Sequence, residues 1–394
     1  MIIQPKIRGF ICTTAHPVGC AKNVKDQINY VQKQPAVVNG PKKVLVVGAS
    51  TGYGLSSRIV AAFGCRAATV GVFFEKPAEG KRTATAGWYN SVAFEKEARE
   101  TGLYSKSING DAFSDEIKQQ AAAIIKKDLG QIDCLIYSLA APRRVHPKTG
   151  AIAKSALKPI GAPYTNKSID FDTRQIIEVS LGMATPEEIT QTVSVMGGED
   201  WQMWIEALAS QNLLAQGIRT VAYSYIGPEV TRTVYRQGTI GAAKDHLEKT
   251  AKKLDQKLKS KNGHALVSIN KALVTQSSSA IPFIPLYFIL LNKVMKEKGI
   301  HEGCIEQMYR LFAKRLYTLD GIATDSEGRI RLDDFEMRAD IQEEVAKRWQ
   351  KVNTENINQV ADMSGYHSDF LRLFGFGIDN VDYSSDVEHD IQLL

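Results

Sequence analysis

Hydrophobic positions along the chain change their period several times, and each change marks the border of an element. Residues 44–47 are an unbroken apolar run, mostly β-branched, that stops at Gly48; apolar positions resume after Gly54 at Leu55, Ile59, Val60 and Phe63. The first pattern predicts a strand buried on both faces and the second a helix. Further strands are predicted over 67–74, 104–109 and 133–137. A helix is predicted over 114–129, capped by Ser114, with Glu116 in its first turn and Gly130 at its end. Strands alternating with helices over roughly 100 residues predict a parallel, doubly wound sheet. Two more strands, over 220–225 and 265–270, extend it.

Outside this frame, residues 6–13 predict a short strand, and 20–34 a helix with Val24, Ile28 and Val31 on one face. His16-Pro17 reads as a turn, since one histidine is not a ligand set. From 143 to 183 short β-prone runs (152–157 and 175–179) are separated by Gly and Pro. That is the pattern of an insertion after a strand C-terminus, where loops that cover a substrate are expected. Thr185 and Pro186 start one helix as N-cap and N1, and 199–211 form another with Trp201 and Trp204 as core anchors. Helices are also predicted from near Thr239 to 261, over 286–294, 302–317 and 333–350. The stretch 325–334 resembles a calcium loop only superficially, because it lacks the required glycine and ligand spacing.

Composition narrows the class. The 394 residues are 44% hydrophobic and 23% charged, an ordinary globular balance. A net charge of +6 is modest for this length and gives no reason to expect nucleic acid. Five scattered cysteines without C-x-x-C spacing indicate neither a disulfide framework nor a zinc site, so a reducing cytoplasm is expected. The start lacks signal-peptide architecture, and the longest apolar run, 281–291, is too short to span a bilayer. No membrane insertion is expected.

Chemistry enters at the turn after residue 47. Gly48, Gly52 and Gly54, with Ala49, Ser50, Thr51 and Tyr53 between them, join a buried strand to a helix N-terminus. Such a junction lets backbone N–H groups approach a pyrophosphate. Glu75, 27 residues beyond Gly48, ends the second strand. It is placed either to bind the adenosine ribose, which favours NAD(H) over NADP(H), or to stand solvated at a strand end. Asp111 ends the third strand and either meets an adenine edge or closes a turn. Leu139 and Ala140 follow the fourth, among small residues that let a ribose come close. Tyr235 and Lys244 are nine residues apart, which on one continuous helix would put them about 180° from each other. Gly238 and Gly241 offer an escape: with the helix starting near Thr239, Tyr235 lies in a loop that folds back. Beside an ammonium its phenol would be lowered and act as a proton donor or oxyanion stabiliser. As a pair taken alone, a loop tyrosine and a surface lysine remain the alternative.

At these residues the chain resembles the long, single-chain enoyl-thioester reductases, the FabV-type enoyl-ACP reductases and trans-2-enoyl-CoA reductases. The resemblance rests on His16-Pro-Val-Gly-Cys20, Gly48-Ala-Ser-Thr-Gly-Tyr-Gly54, Thr85-Ala-Gly-Trp-Tyr-Asn90, Ser138-Leu-Ala-Ala-Pro-Arg-Arg144, Met196-Gly-Gly-Glu-Asp-Trp201, Ala222-Tyr-Ser-Tyr-Ile-Gly227, Tyr235-x8-Lys244 and Asn270-Lys-Ala-Leu-Val-Thr275. It implies NADH-dependent reduction of the C2–C3 double bond of a trans-2-enoyl thioester, carried by acyl carrier protein or coenzyme A. Tyr235 would be the proton donor, Tyr225 would contact the substrate carbonyl, and Lys244 would bind the cofactor. Gly48, Ala49, Ser50, Thr51, Gly52, Tyr53, Phe74, Glu75, Asp111, Ala112, Leu139, Ala140, Leu273, Val274 and Thr275 would line the NADH. Gln276 departs from the family pattern beside the helix expected to cover the acyl chain, and bears on chain-length preference and inhibitor response. Lys76 and Arg82 leave residual NADPH use open.

The implied fold is α/β: one large Rossmann-like domain over 1–394, a doubly wound parallel sheet with inserted lid segments and a helical C-terminal extension. Its parts are an N-terminal extension (1–40), a first nucleotide-binding half (41–142), a lid insertion (143–198), a catalytic half (199–300) and a helical C-terminal region (301–394). The family leans toward a monomer. Two other readings compete: a short-chain-type carbonyl or alcohol oxidoreductase, and a non-catalytic dinucleotide-binding sensor. The lysines 249, 252, 253 and 257 either meet an acidic carrier protein or are simply a solvated helix face.

Overall fold

Seven parallel strands form the centre of the computed structural model, which describes residues 1–8, 11–171, 173–275, 281 and 283–393. Gln276 lies outside the described residues, as do the serines at 277–279. The strands are β1 (Lys43–Val47), β2 (Ala68–Phe73), β3 (Ser105–Asn109), β4 (Ile132–Tyr137), β5 (Leu214–Ser224), β6 (His264–Ile269) and β7 (Ile330–Arg331). Their order across the sheet is 7-6-5-4-1-2-3. The order reverses between β1 and β4, where Leu45 pairs with Leu135 on one side and Val70 on the other. Val44, Leu45, Val46 and Val47 are all 0% exposed, which is why they read as an unbroken apolar run. Ligands of open α/β sheets bind outside the strand C-termini at such a reversal.

The helices are α1 (Pro17–Gln32), α2 (Gly52–Ile59), α3 (Ala86–Glu100), α4 (Asp115–Ile124), α5 (Pro186–Met196), α6 (Glu199–Ala209), α7 (Thr239–Leu258), α8 (Ile284–Glu297), α9 (Cys304–Leu311), α10 (Ala339–Lys351), α11 (Ile357–Val360) and α12 (Met363–Arg372). The caps fall where expected: Ser114 accepts from the Ile117 N–H, and Thr185 with Glu188 forms a capping box. His16 caps α1, its Nδ1 accepting from the Gly19 N–H at 3.1 Å.

Several elements differ from the expectation: His16-Pro17 opens helix α1 rather than forming a turn, β5 starts at Leu214 rather than 220, and the strand Tyr164–Asp170 and helices α11 and α12 were not expected. Helix α3 was also missing from the expectation, because its buried face carries Asn90, Ser91 and Glu95 and shows no apolar period. Strand β7 is too short to show any period. Helix α10 starts at Ala339 rather than 333; the intervening turn, residues 332–338, buries Asp333 and Glu336 instead. The 6–13 strand is a small antiparallel pairing of Ile7–Arg8 with Ile11–Cys12.

One face of the sheet packs on α1, α2 and α9, and the other on α4, α6 and α7. A third apolar cluster gathers around α8, with α10 and α12 and the inserted hairpin of Tyr164–Asp170 with Gln175–Leu181. The C-terminal strap clasps the N-terminal half: the His16 N–H donates to Phe374 O at 2.8 Å, Trp88 Nε1 to Ile391 O at 2.7 Å and the Tyr89 hydroxyl to His389 O at 2.6 Å. Among the described residues no helix is long and apolar enough to cross a membrane.

Trp201 and Trp204 are fully buried anchors, donating to Thr220 Oγ1 and to Ala112 O. Beside them Lys118 and Asp200, each 2% exposed, form an ion pair at 2.8 Å; Lys118 also donates to Ala112 O and Phe113 O. Removing one partner strands the other charge, at a cost of about 3–5 kcal/mol. Lys118→Met is therefore expected to lower the urea midpoint strongly, and Lys118→Met with Asp200→Leu to recover most of the loss, in equilibrium unfolding.

Candidate active site

The loops at the C-terminal ends of β1, β2, β4, β5 and β6 meet at one rim. Gly48, at φ +87°, turns the chain out of β1; a Cβ there would lie 2.3 Å from Ser138 O after β4. A Cβ on Gly54 would lie 1.8 Å from Gly48 O, so the helix start can approach the turn only without a side chain. Gly52, at φ +53°, faces Thr275 across the rim. Ala49 and Ser50 are buried, Thr51 is the N-cap of α2, and the Tyr53 hydroxyl donates to Lys271 O at 2.7 Å. This cradle of close backbone and free helix N–H groups fits a dinucleotide diphosphate.

Glu75 is not a solvated carboxylate. It accepts from Ser50 Oγ at 2.6 Å and sits where a Cβ on Gly87 would be, at the start of α3; burial pushes its carboxyl up, against the bonds from Ser50 and Thr85. Arg82 is paired with Glu79 in an exposed turn. Phe74 is 76% exposed at the strand end. Asp111 closes a turn, its Oδ1 accepting from the Phe113 N–H, and the carbonyl of Ala112 is held by Lys118 and Trp204. Leu139 is half-buried and Ala140 exposed; Leu273 and Val274 are buried.

Tyr225 and Tyr235 stand edge to face, ring centroids 4.9 Å apart. Helix α7 does start at Thr239 with Tyr235 in the loop before it. Gly241 makes this packing feasible, since a Cβ there would meet Arg236 O at 1.9 Å and Tyr235 O at 2.9 Å. The expected ammonium beside the phenol is not found. Lys244 Nζ donates instead to Tyr223 O at 3.3 Å; burial lowers Lys244 to about 8, with the Glu248 charge opposing. Burial, and then the charge of Glu336, push the Tyr235 phenol up rather than down. Tyr235 is therefore a neutral phenol, able to give a proton.

Glu336 is the residue that sequence reasoning missed. Fully buried, it accepts from the hydroxyls of Tyr225 (2.8 Å) and Tyr287 (2.7 Å) and from the Ala272 N–H (2.7 Å). Only a three-dimensional neighbourhood reveals it, because residues 332–338 lie more than 100 positions from Tyr225.

Comparison with known proteins agrees with this geometry. A family described as the trans-2-enoyl-CoA reductase catalytic region matches residues 82–317, and the NAD(P)H binding domain of trans-2-enoyl-CoA reductase matches residues 2–80. The chain belongs to the trans-2-enoyl-CoA reductase family. The enoyl-[acyl-carrier-protein] reductase [NADH] of Coxiella burnetii is 61% identical over 98% of this chain and 96% of its own; that of Flavobacterium psychrophilum is 60% identical over 100% and 99%. The trans-2-enoyl-CoA reductase of Treponema denticola in complex with NAD superposes with a TM-score of 0.96 at 50% identity, covering 100% of both chains. That of Clostridium acetobutulicum in complex with NADH gives 0.96 at 45%, covering 98% of both.

A third family match, described as an enoyl reductase FAD binding domain, covers residues 324–387. The residues there do not fit a flavin dinucleotide. The turn between β7 and α10 contains no glycine and buries two carboxylates, Asp333, which Arg331 pairs, and Glu336, whose charge would repel a diphosphate. Ile341, Val345, Trp349 and Phe370 are spent on the core around α8.

Gly241→Ala would force the loop carrying Tyr235 off the first turn of α7. Overpacking of this kind costs about 1–3 kcal/mol, so a lowered urea midpoint is expected, together with altered tyrosine absorption from the displaced Tyr225–Tyr235 pair.

Proposed function

We propose that this protein reduces the C2–C3 double bond of trans-2-enoyl thioesters with NADH, the last step of a fatty-acid elongation cycle. The observation that carries the reading is the pairing of buried Tyr235 with partly buried Tyr225, at the same rim as the glycine cradle at the reversal of the sheet. When bound, NADH supplies the hydride that adds to the substrate β-carbon. Gly48, Ala49, Ser50, Thr51, Gly52 and Tyr53 would hold its diphosphate region. Phe74, Glu75, Asp111 and Ala112 would border the adenosine half, and Leu139, Ala140, Lys244, Leu273, Val274 and Thr275 the nicotinamide half.

Tyr235 would face the oxygen of the resulting enolate and give it a proton; the enol then takes a solvent proton at the α-carbon as its oxygen returns the first to the Tyr235 phenolate, which completes the saturated thioester. The phenol holds its proton in the free protein, as a general acid must, and burial further disfavours the phenolate. Tyr225 borders the thioester carbonyl. The buried residues of α8 and the inserted hairpin would form the wall along which an acyl chain lies. Acyl carrier protein and coenzyme A are the two carriers this chemistry admits. The lysine-rich face of α7 supports the first, although Lys257 already pairs with Glu206. The interlocked core clusters and the strap support a single domain over the whole chain; the scattered cysteines support a reducing cytoplasm, and the family resemblance supports a monomer.

NADH oxidation with crotonyl-CoA tests the reading: Tyr235→Phe is expected to lower kcat by about 100-fold or more, and full activity in that variant would overturn it. Lys244 carries its charge below about pH 8 and loses it above, since burial lowers it to about 8. The KM for NADH is therefore expected to rise several-fold across that pH in the wild type, and to be high and flat in Lys244→Met.

A further inference from the structure

Glu336 is a carboxylate with no place in the cofactor cradle, buried where a charge is costly unless it is fully bonded. Its turn is pinned to the end of β6, with the N–H groups of Leu332 and Asp333 both donating to Ile269 O, at 2.8 and 3.2 Å. Three elements then converge on it. The Ala272 N–H, after β6, occupies Oε2; the hydroxyls of Tyr225, after β5, and Tyr287, on α8, both occupy Oε1. The Lys271 ammonium and the phenols of Tyr235 and Tyr53 are further titratable groups that feel its charge. A phenol has one hydrogen. That of Tyr225 is directed at Glu336 and is not free for a thioester oxygen, whereas the Tyr235 hydroxyl makes no hydrogen bond among the described residues.

We propose that Glu336 is a positioning residue that divides labour between the two tyrosines: by accepting the Tyr225 hydrogen, it leaves Tyr235 to donate to the thioester oxygen. This rests on the enoyl reductase reading above. Tyr225 then serves as a fixed edge for the Tyr235 ring and presents only lone pairs to the site.

Glu336→Gln reverses the arrangement without emptying it. The Ala272 N–H requires an acceptor, so the amide oxygen takes the place of Oε2 and the amide nitrogen faces the phenols. Tyr225 becomes an acceptor and its hydrogen turns toward the site. With crotonyl-CoA and NADH, Glu336→Gln is expected to lower kcat about tenfold, the weight of one misdirected hydrogen bond. In a Tyr235→Phe background it is expected to raise kcat about threefold or more, because the released Tyr225 hydrogen replaces the lost donor. An equal loss in both backgrounds overturns the proposal.

A second measurement needs no turnover and no folded glutamine variant. The infrared phenol C–O band of Tyr225, isolated as the difference between wild type and Tyr225→Phe, separates a donating from an accepting hydroxyl. A donor position supports the assignment and an acceptor position overturns it. Failure of crotonyl-CoA reduction with a donor band would remove the enoyl reductase reading while keeping the bond polarity. Turnover with an acceptor band would do the reverse.

Discussion

Three backbone segments approach so closely at the sheet reversal that no side-chain carbon fits between them. Gly48 lies against the carbonyl of Ser138, and Gly54 against the carbonyl of Gly48. Everything around the site inherits its position from this contact. It fixes where α2 leaves the sheet and sets the loop after β4 beside the loop after β1. It also aims Gly52 across the rim at Thr275. A cradle formed in this way is as rigid as the sheet beneath it, because its walls are main chain rather than rotatable side chains.

Desolvation governs the chemistry at this rim more than direct ion pairing does. Burial disfavours the Tyr235 phenolate, and Lys244 and Lys271 are both brought down to about 8 for the corresponding reason. A tyrosine–carboxylate network centred on Glu336 stands in place of the expected tyrosine–lysine contact. The nine-residue spacing of Tyr235 and Lys244 is the trace of that replacement: α7 brings the lysine to Tyr223 O, and Gly241 lets the tyrosine fold the other way.

How much of this was legible in the sequence depended on whether a feature was periodic or local. Strands β1, β2, β4 and β6 were legible because burial on both faces leaves a nearly unbroken apolar run; β3 buries only Ile108, and of β5 only the apolar C-terminal half was legible. The caps at Ser114 and Thr185 were legible because capping is a contact between residues three apart. Helix α3 was hidden by the polar residues on its inner face. The start at Thr239 followed from two glycines, but the partner of Lys244 did not, since that bond joins α7 to the end of β5. Glu75 was placed at the right strand end, yet its bond to Ser50 depends on how two loops fold together. Glu336 left no local signal, because its partners come from three distant segments.

The strap that ties residues 374–391 to His16, Trp88 and Tyr89 bears on how the chain reaches this state. The bonds from Trp88 and Tyr89 join residues 303 and 300 positions apart. Contacts of such span close very large loops, and the entropy of closing them is lost before the contact stabilises anything. The nucleotide-binding half can assemble from near neighbours in sequence. The clasp and the turn that carries Glu336 are long-range, which makes completion of the acid-donating side of the site a late event in folding.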